Sequence, residues 1–242
     1  MPTAILVDGG FFLRRFPKVY KDVDSRDCKA VTATLLRMAL AHLYSKNGPR
    51  RDLYRIFFYD CPPIVKKAHF PLSNRAINFS KTPVARFRLS LHDLLRRQRK
   101  LALRLGHLSD VTTWTLRPDR LKALMHGDVA VDGLVDGDFT YDARQKGVDM
   151  RIGLDIAALA FKKQVDQIVL VAGDADFVPA AKLARREGID FILDPMWGPI
   201  HATLNEHIDG LRSTCPNPGR ATRAAITVPS DDPDIDPEAL AG

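Results

Sequence analysis

The chain has 242 residues, enough for one substantial α/β domain with an insertion or a tail and short of two full domains. Its apolar content of 45%, the lack of any apolar run long enough to cross a bilayer, and an N-terminus (MPTAILVDGG) without a basic leader point to a cytoplasmic globular protein that is neither secreted nor membrane-bound. The net charge of +7 suggests a polyanionic partner, while Cys28, Cys61 and Cys215 form no C-x-x-C pair, so neither a disulfide framework nor a zinc site is indicated.

Residues 3–7 predict a buried strand that runs through Asp8 into a Gly9-Gly10 turn. Ser25 or Asp27 can cap a helix to about Ser45, with Val31, Leu35, Met38 and Leu43 at helical spacing. A second strand over 53–59 closes on Asp60, before Cys61-Pro62-Pro63. Near-heptad spacing of Val84, Phe87, Leu91, Leu94, Leu101 and Leu105 then predicts a long helix from about Pro83 to Leu105. On such a helix Arg86, Arg97, Lys100 and Arg104 fall within one narrow arc. From Lys81 to His107 there are eight Lys/Arg and one acidic residue, Asp93, so the arc is either a solvated face or a phosphate-contacting stripe. The apolar seam can pack within its own domain or against a second copy, making a homodimer.

Further on, residues 111–116 predict a strand, 119–125 a short helix and 139–142 an extended piece. Asp128, Asp132, Asp136 and Asp138 lie among glycines without the spacing of a calcium loop and read as turn residues. A helix over 148–163, a strand over 167–172 buried on both faces, a helix over 178–187, a strand over 189–193 and a last helix around 204–212 follow. This alternation predicts a central, mostly parallel sheet flanked by helices in three layers. Residues 64–145 read as a basic helical and hairpin insertion, and the Pro- and Asp-rich stretch 215–242 as a disordered tail.

Aspartates gather at predicted strand ends, where open parallel sheets form their sites. Asp8 directly follows one strand, Asp174 and Asp176 follow another, and Asp149 opens the helix leading into it. Two carboxylates about 5 Å apart repel by roughly 3 kcal/mol at an effective dielectric of 20. The cluster must therefore take up protons, admit cations or stay apart. An all-oxygen donor set suits Mg²⁺ or Mn²⁺, which activates water and neutralises a phosphodiester. Each residue also has a structural alternative. Asp176 can cap a helix, Asp149 can favour a helix N-terminus, and Asp8 can hold its turn by a side-chain hydrogen bond.

The blocks ILVDGGFF, RIFFYDCPP, KGVDMRIGLDIAALA and IVLVAGDADFVPAAKLARREG resemble the NYN family, in particular its LabA-like branch. The resemblance implies a PIN-like fold and metal-dependent RNA cleavage, with Asp8, Asp149, Asp174 and Asp176 as the acidic site. Phe11 or Phe12 stands where the family often has Asn, and Ala175 where it often has Ser or Gly. The reading is a Mg²⁺- or Mn²⁺-dependent endoribonuclease on single-stranded or looped RNA, a tRNA or an mRNA. Arg86, Arg97, Lys100 and Arg104 would hold the backbone, with Lys146 or Arg151 nearer the scissile phosphate. The alternative is a catalytically weak RNA-binding module on the same fold. A haloacid-dehalogenase-type phosphatase wants a second Asp at position 10, which is glycine here.

Overall fold

A computed structural model describes residues 2–45, 48–109, 112–219, 228–229 and 232–235. In chain order the elements begin with β1 (Pro2–Asp8), α1 (Gly9–Val19), α2 (Cys28–Ala41), β2 (Asp52–Asp60), β3 (Lys67–His69), β4 (Ala76–Asn78) and α3 (Pro83–Arg97). Next come β5 (Leu101–Leu105), β6 (His107–Leu108), β7 (Thr113–Leu116), α4 (Pro118–His126), β8 (Phe139–Asp142) and β9 (Gln145–Lys146). The chain continues through α5 (Val148–Phe161), β10 (Gln167–Val171), α6 (Val178–Arg186), β11 (Asp190–Asp194), α7 (Ala202–Asn205) and β12 (Gly210–Leu211).

These elements form two compact units. Unit 1 comprises residues 1–60, 90–106 and 147–242, and unit 2 comprises residues 61–89 and 107–146.

Unit 1 is built on a six-stranded, all-parallel sheet in the order β12-β11-β10-β1-β2-β5. Strand side chains alternate between its faces. Ala4, Leu6, Tyr59, Ile168 and Leu170 pack with Ile152, Ile156 and Leu159 of α5 and with Ala181 and Ala184 of α6. Phe58 points the other way and meets Phe12 of α1 edge-on at 6.2 Å. Helices therefore cover both faces, giving the three-layer α/β fold. Residues 4–7 of β1 and 168–171 of β10 are continuously apolar because both faces of each strand are buried.

Gly9 permits the sharp passage from β1 into α1. A Cβ there would lie 2.6 Å from the Tyr59 carbonyl oxygen and 2.6 Å from Phe58 Cε1. Gly9→Ala should therefore destabilise the chain by about 1–3 kcal/mol and lower Tm by at least about 3 °C in thermal unfolding. An unchanged Tm would mean that α1 does not start against β2.

The structure corrects the sequence reading at several elements. Gly9-Gly10 opens a helix, because Asp8 caps it and Phe12, Phe16 and Val19 give it a buried stripe. The long helix expected to reach Leu105 stops at Arg97, and Leu101–Leu105 is the edge strand β5. Lys100 takes a left-handed backbone (φ 54°) at the break. Residues 90–106, inside the stretch read as an insertion, thus belong to unit 1. The last helix is confined to Ala202–Asn205, and Gly210–Leu211 is a strand. Val111, the expected start of a strand, lies outside the described residues, and β7 begins at Thr113.

Unit 2 holds the antiparallel pairs β3–β4, β6–β9 and β7–β8, together with α4 and the start of α3. Of the aspartates expected in turns, Asp138 holds its own by accepting from the Val135 amide at 3.0 Å, whereas Asp136 reaches across to the Leu72 and Ser73 amides at 3.2 Å.

Part of the C-terminal stretch is anchored within unit 1. Asp232 and Asp234 pair with Arg50 at 2.8 and 2.7 Å, and Asp234 also with Arg99 and Lys100 at 2.9 and 3.0 Å. Against the desolvation of burial, the Arg50 hydrogen bonds hold both carboxyls below the ordinary aspartate range. Among the described residues no helix is long and apolar enough to cross a membrane.

Candidate active site

The chain leaves β1 for β2 on one side of the sheet and leaves β10 for β11 on the other. The carboxyl ends of β1 and β10, neighbours in register from Thr3↔Gln167 to Val7↔Val171, therefore flank the point where the winding reverses. Crevices that admit ligands open at such points. Asp8 ends β1. Past β10 the chain turns through Gly173, where a Cβ would meet Phe11 Cε2 at 2.8 Å, so a bare backbone is what lets this loop approach the start of α1. Asp174 and Asp176 follow immediately.

Asp8 accepts the Phe11 amide through Oδ1 at 3.0 Å, so its structural alternative is realised. Asp174 accepts the Asp176 amide at 3.3 Å and opens the short 3-10 turn before α6. Capping leaves each carboxylate a further oxygen. Asp149 lies in the first turn of α5, where Gly147 at φ 79° provides the N-cap and no side chain does. Asp149, Asp174 and Asp176 are exposed, whereas Asp8 is half-buried.

Electrostatics link the four. Burial raises the Asp8 pKa above the ordinary value, and the charge of Asp149 raises it further, while the Phe11 amide and Arg14 oppose the shift. Desolvation also raises Asp149, with added repulsion from Asp174 and Asp176 and partial relief from Arg14. Each of the four is thus within electrostatic reach of at least one other.

Fit to a divalent cation can be judged on this donor set. The oxygens are hard and Arg14 compensates the charge only in part, which favours Mg²⁺ or Mn²⁺. Yet among the described residues no three His, Cys, Asp or Glu side chains stand close enough to hold one ion together. The carboxylates are gathered without being drawn into a finished cage. Mg²⁺ usually keeps several of its waters and needs only one or two direct carboxylates, so the donor set fits in chemistry and charge.

The raised Asp8 pKa has a stability consequence. A carboxyl whose folded pKa exceeds its unfolded value stabilises the fold below the unfolded pKa and loses that contribution as pH rises through the folded one. Ionised Asp8 therefore costs stability at neutral pH. Asparagine keeps the cap without the charge. Asp8→Asn is expected to raise Tm by about 2 °C at pH 7, and the gain should vanish near pH 3, where the native side chain is protonated. A Tm lowered at pH 7 would contradict the repulsion described here.

The basic residues expected to bind nucleic acid do not form one stripe. Arg86 and Arg97 are exposed on α3, but Lys100 and Arg104 are not on that helix. Lys100 donates to the Leu53 carbonyl at 3.0 Å and pairs with Asp234. Arg104 pairs with Asp155 at 3.2 Å and lies 5.6 Å over the Phe57 ring. Asp155 also accepts from the Tyr59 hydroxyl at 2.8 Å, so it stays in the packing between α5 and the sheet. Lys146 on β9 and Arg151 on α5 are exposed. Arg14, on the unforeseen helix α1, is the cation that acts on both Asp8 and Asp149.

Two other strand-end aspartates are spoken for. Asp60 pairs with His92 at 2.8 Å and Asp194 with His42 at 2.9 Å, all four side chains buried.

Residues 124–196 match the family model of the NYN domain. NYN domains are generally nucleases of the PIN-like kind. The matched segment holds Asp149, Asp174 and Asp176, whereas Asp8 precedes it. No curated protein matches the chain. A crystal structure of a protein of unknown function from Vibrio parahaemolyticus RIMD 2210633 aligns over 87% of this chain and 90% of that one, at 17% identity and a TM-score of 0.43. That distance says nothing about the site.

Proposed function

We propose that unit 1 is a metal-dependent endoribonuclease acting on single-stranded or looped RNA. The observation that carries this reading is the placement of Asp8 at the end of β1 and of Asp174 and Asp176 just past the neighbouring β10, where the sheet reverses its winding, with Asp149 close enough to act on all three. The NYN match over three of the four supports it.

One or two of Asp8, Asp149, Asp174 and Asp176 would ligate Mg²⁺ or Mn²⁺ directly, and the others would act through its waters. When bound, such an ion lowers the pKa of a coordinated water and neutralises charge on the phosphodiester. Asp8, fixed through Oδ1 by the Phe11 amide, holds its carboxylate in a set direction at the end of β1. Asp174, fixed by the Asp176 amide, does the same after β10. Arg14 is suited to receive a phosphate oxygen, because it already compensates the same acids. Arg151 and Arg97, in the same unit, offer further phosphate contacts. Such contacts bind backbone without reading sequence, so selectivity for RNA rests on shape and on unpaired bases.

The separation of the carboxylates favours one second reading, a module that binds RNA and cuts it weakly. Incubating labelled RNA and DNA with the chain in Mg²⁺, Mn²⁺ or EDTA separates the two. RNA fragments that appear only with a divalent cation support the nuclease. Binding without fragments under every condition supports the module.

A further inference from the structure

Unit 2 buries few side chains. Among its described residues only Cys61, Ala85 and Asp138 are buried. Its largest apolar groups stay half-exposed around an open basin of about 610 Å³. Phe70 and Trp114 lie 5.1 Å apart between ring centroids, Phe79 and Tyr141 4.6 Å, and Trp114 meets Tyr141 at 5.0 Å near a right angle. Polar bonds fix these rings in place. The Trp114 indole N–H donates to the His69 carbonyl at 2.7 Å, and the Tyr141 hydroxyl shares a 3.0 Å hydrogen bond with that of Thr112. An apolar group this large, held in shape and left open, marks an interaction site.

The charge around the basin says what fits it. Residues 61–89 carry six Lys/Arg and no Asp or Glu, while residues 107–146 carry five Lys/Arg and seven Asp, so the positive charge lies on the first segment of the unit. The Arg75 guanidinium sits 4.9 Å over Phe70, the Lys66 ammonium 5.5 Å over Tyr141, and Arg88 lines the basin. Flat aromatic faces beside cations suit a flat π-system attached to an anion, as in an unpaired nucleotide. A proline-rich peptide would use the aromatic faces but bring no anion to the cations beside them.

We propose that the basin of unit 2 binds an unpaired base of single-stranded nucleic acid, stacked against Trp114 and Tyr141 with its phosphate near Lys66, Arg75 and Arg88. This rests on the nucleic-acid reading above for its ligand class, but it concerns a separate site and is tested without cleavage.

The chain has two tryptophans, Trp114 and Trp197, so fluorescence reports on the basin once Trp114→Phe identifies its share of the signal. The full chain, in EDTA, is titrated with an oligoadenylate RNA, with an abasic oligomer of equal charge, and with a proline-rich peptide. Oligoadenylate should quench Trp114 and bind about tenfold or more tightly than the abasic oligomer. Tyr141→Ala should lose a similar factor and Tyr141→Phe should restore it. That pair serves even if Trp114→Phe fails to fold. Equal binding of the abasic oligomer, quenching by the peptide alone, or no quenching by oligoadenylate would each overturn the proposal. Quenching without cleavage in divalent metal would sink the nuclease and spare the basin, whereas cleavage without quenching would do the reverse.

Discussion

Asp174→Asn is expected to cut RNA at least about a hundredfold more slowly than the native chain while binding the same RNA with little change. Asparagine can still accept the Asp176 amide, which the native side chain holds at 3.3 Å, so the turn into α6 should persist. What disappears is one negative charge from the set that Asp149 senses. A metal ion contributes several kcal/mol of charge stabilisation in phosphoryl transfer, and each 1.36 kcal/mol is a factor of ten in rate. Weakened metal binding should therefore appear in the rate long before it appears in affinity for RNA, which rests on cations elsewhere. Single-turnover cleavage of labelled RNA in Mn²⁺, paired with equilibrium binding in EDTA, separates the two quantities. An unchanged rate would remove Asp174 from the machinery.

The largest loss of stability is expected from Asp194→Ala. Asp194 is fully buried at the end of β11 and accepts from His42 Nε2 at 2.9 Å, the Met196 amide at 2.7 Å and the Thr214 amide at 3.4 Å. The loop it holds is strained, since Met196 and Trp197 both have left-handed backbones (φ 47° and 59°). Removing one partner of a buried pair costs about 3–5 kcal/mol, because the other partner is left uncompensated. At roughly 2–4 °C per kcal/mol for a chain of this size, Tm should fall by about 10 °C. Thermal unfolding followed by circular dichroism checks this. A drop below about 2 °C would mean that solvent or another group replaces the carboxylate.

Most of the sheet is legible in the chain because parallel strands covered on both faces are continuous apolar runs, as in Ile168–Val171. What escaped reading follows from competing local patterns. Gly9-Gly10 signals a turn, but Asp8 caps a helix across it once Gly9 can pass against Phe58. Leu101 and Leu105 satisfy both a helical repeat and the alternation of a strand, and the left-handed Lys100 between Arg97 and Leu101 decides for the strand. That one break removes Lys100 and Arg104 from the supposed stripe. Asp8, Asp174 and Asp176 stood out because they punctuate strand ends, and Asp149 because it opens the helix before one of them. Arg14 did not, since its place depends on a helix hidden behind two glycines. Asp194 ends a strand as Asp8 does, and only the packing of His42 against it distinguishes a buried structural pair from an open acid.

Repulsion among Asp8, Asp149, Asp174 and Asp176 should be relieved by a divalent cation. Thermal unfolding at pH 7 across a Mn²⁺ titration tests it without any substrate. Binding to the folded state alone stabilises by about 2.7 kcal/mol at a hundred times the dissociation constant, so Tm of the native chain should climb by roughly 5–10 °C and that of Asp174→Asn by much less. A native Tm indifferent to Mn²⁺, or one that climbs equally in both proteins, would contradict the account.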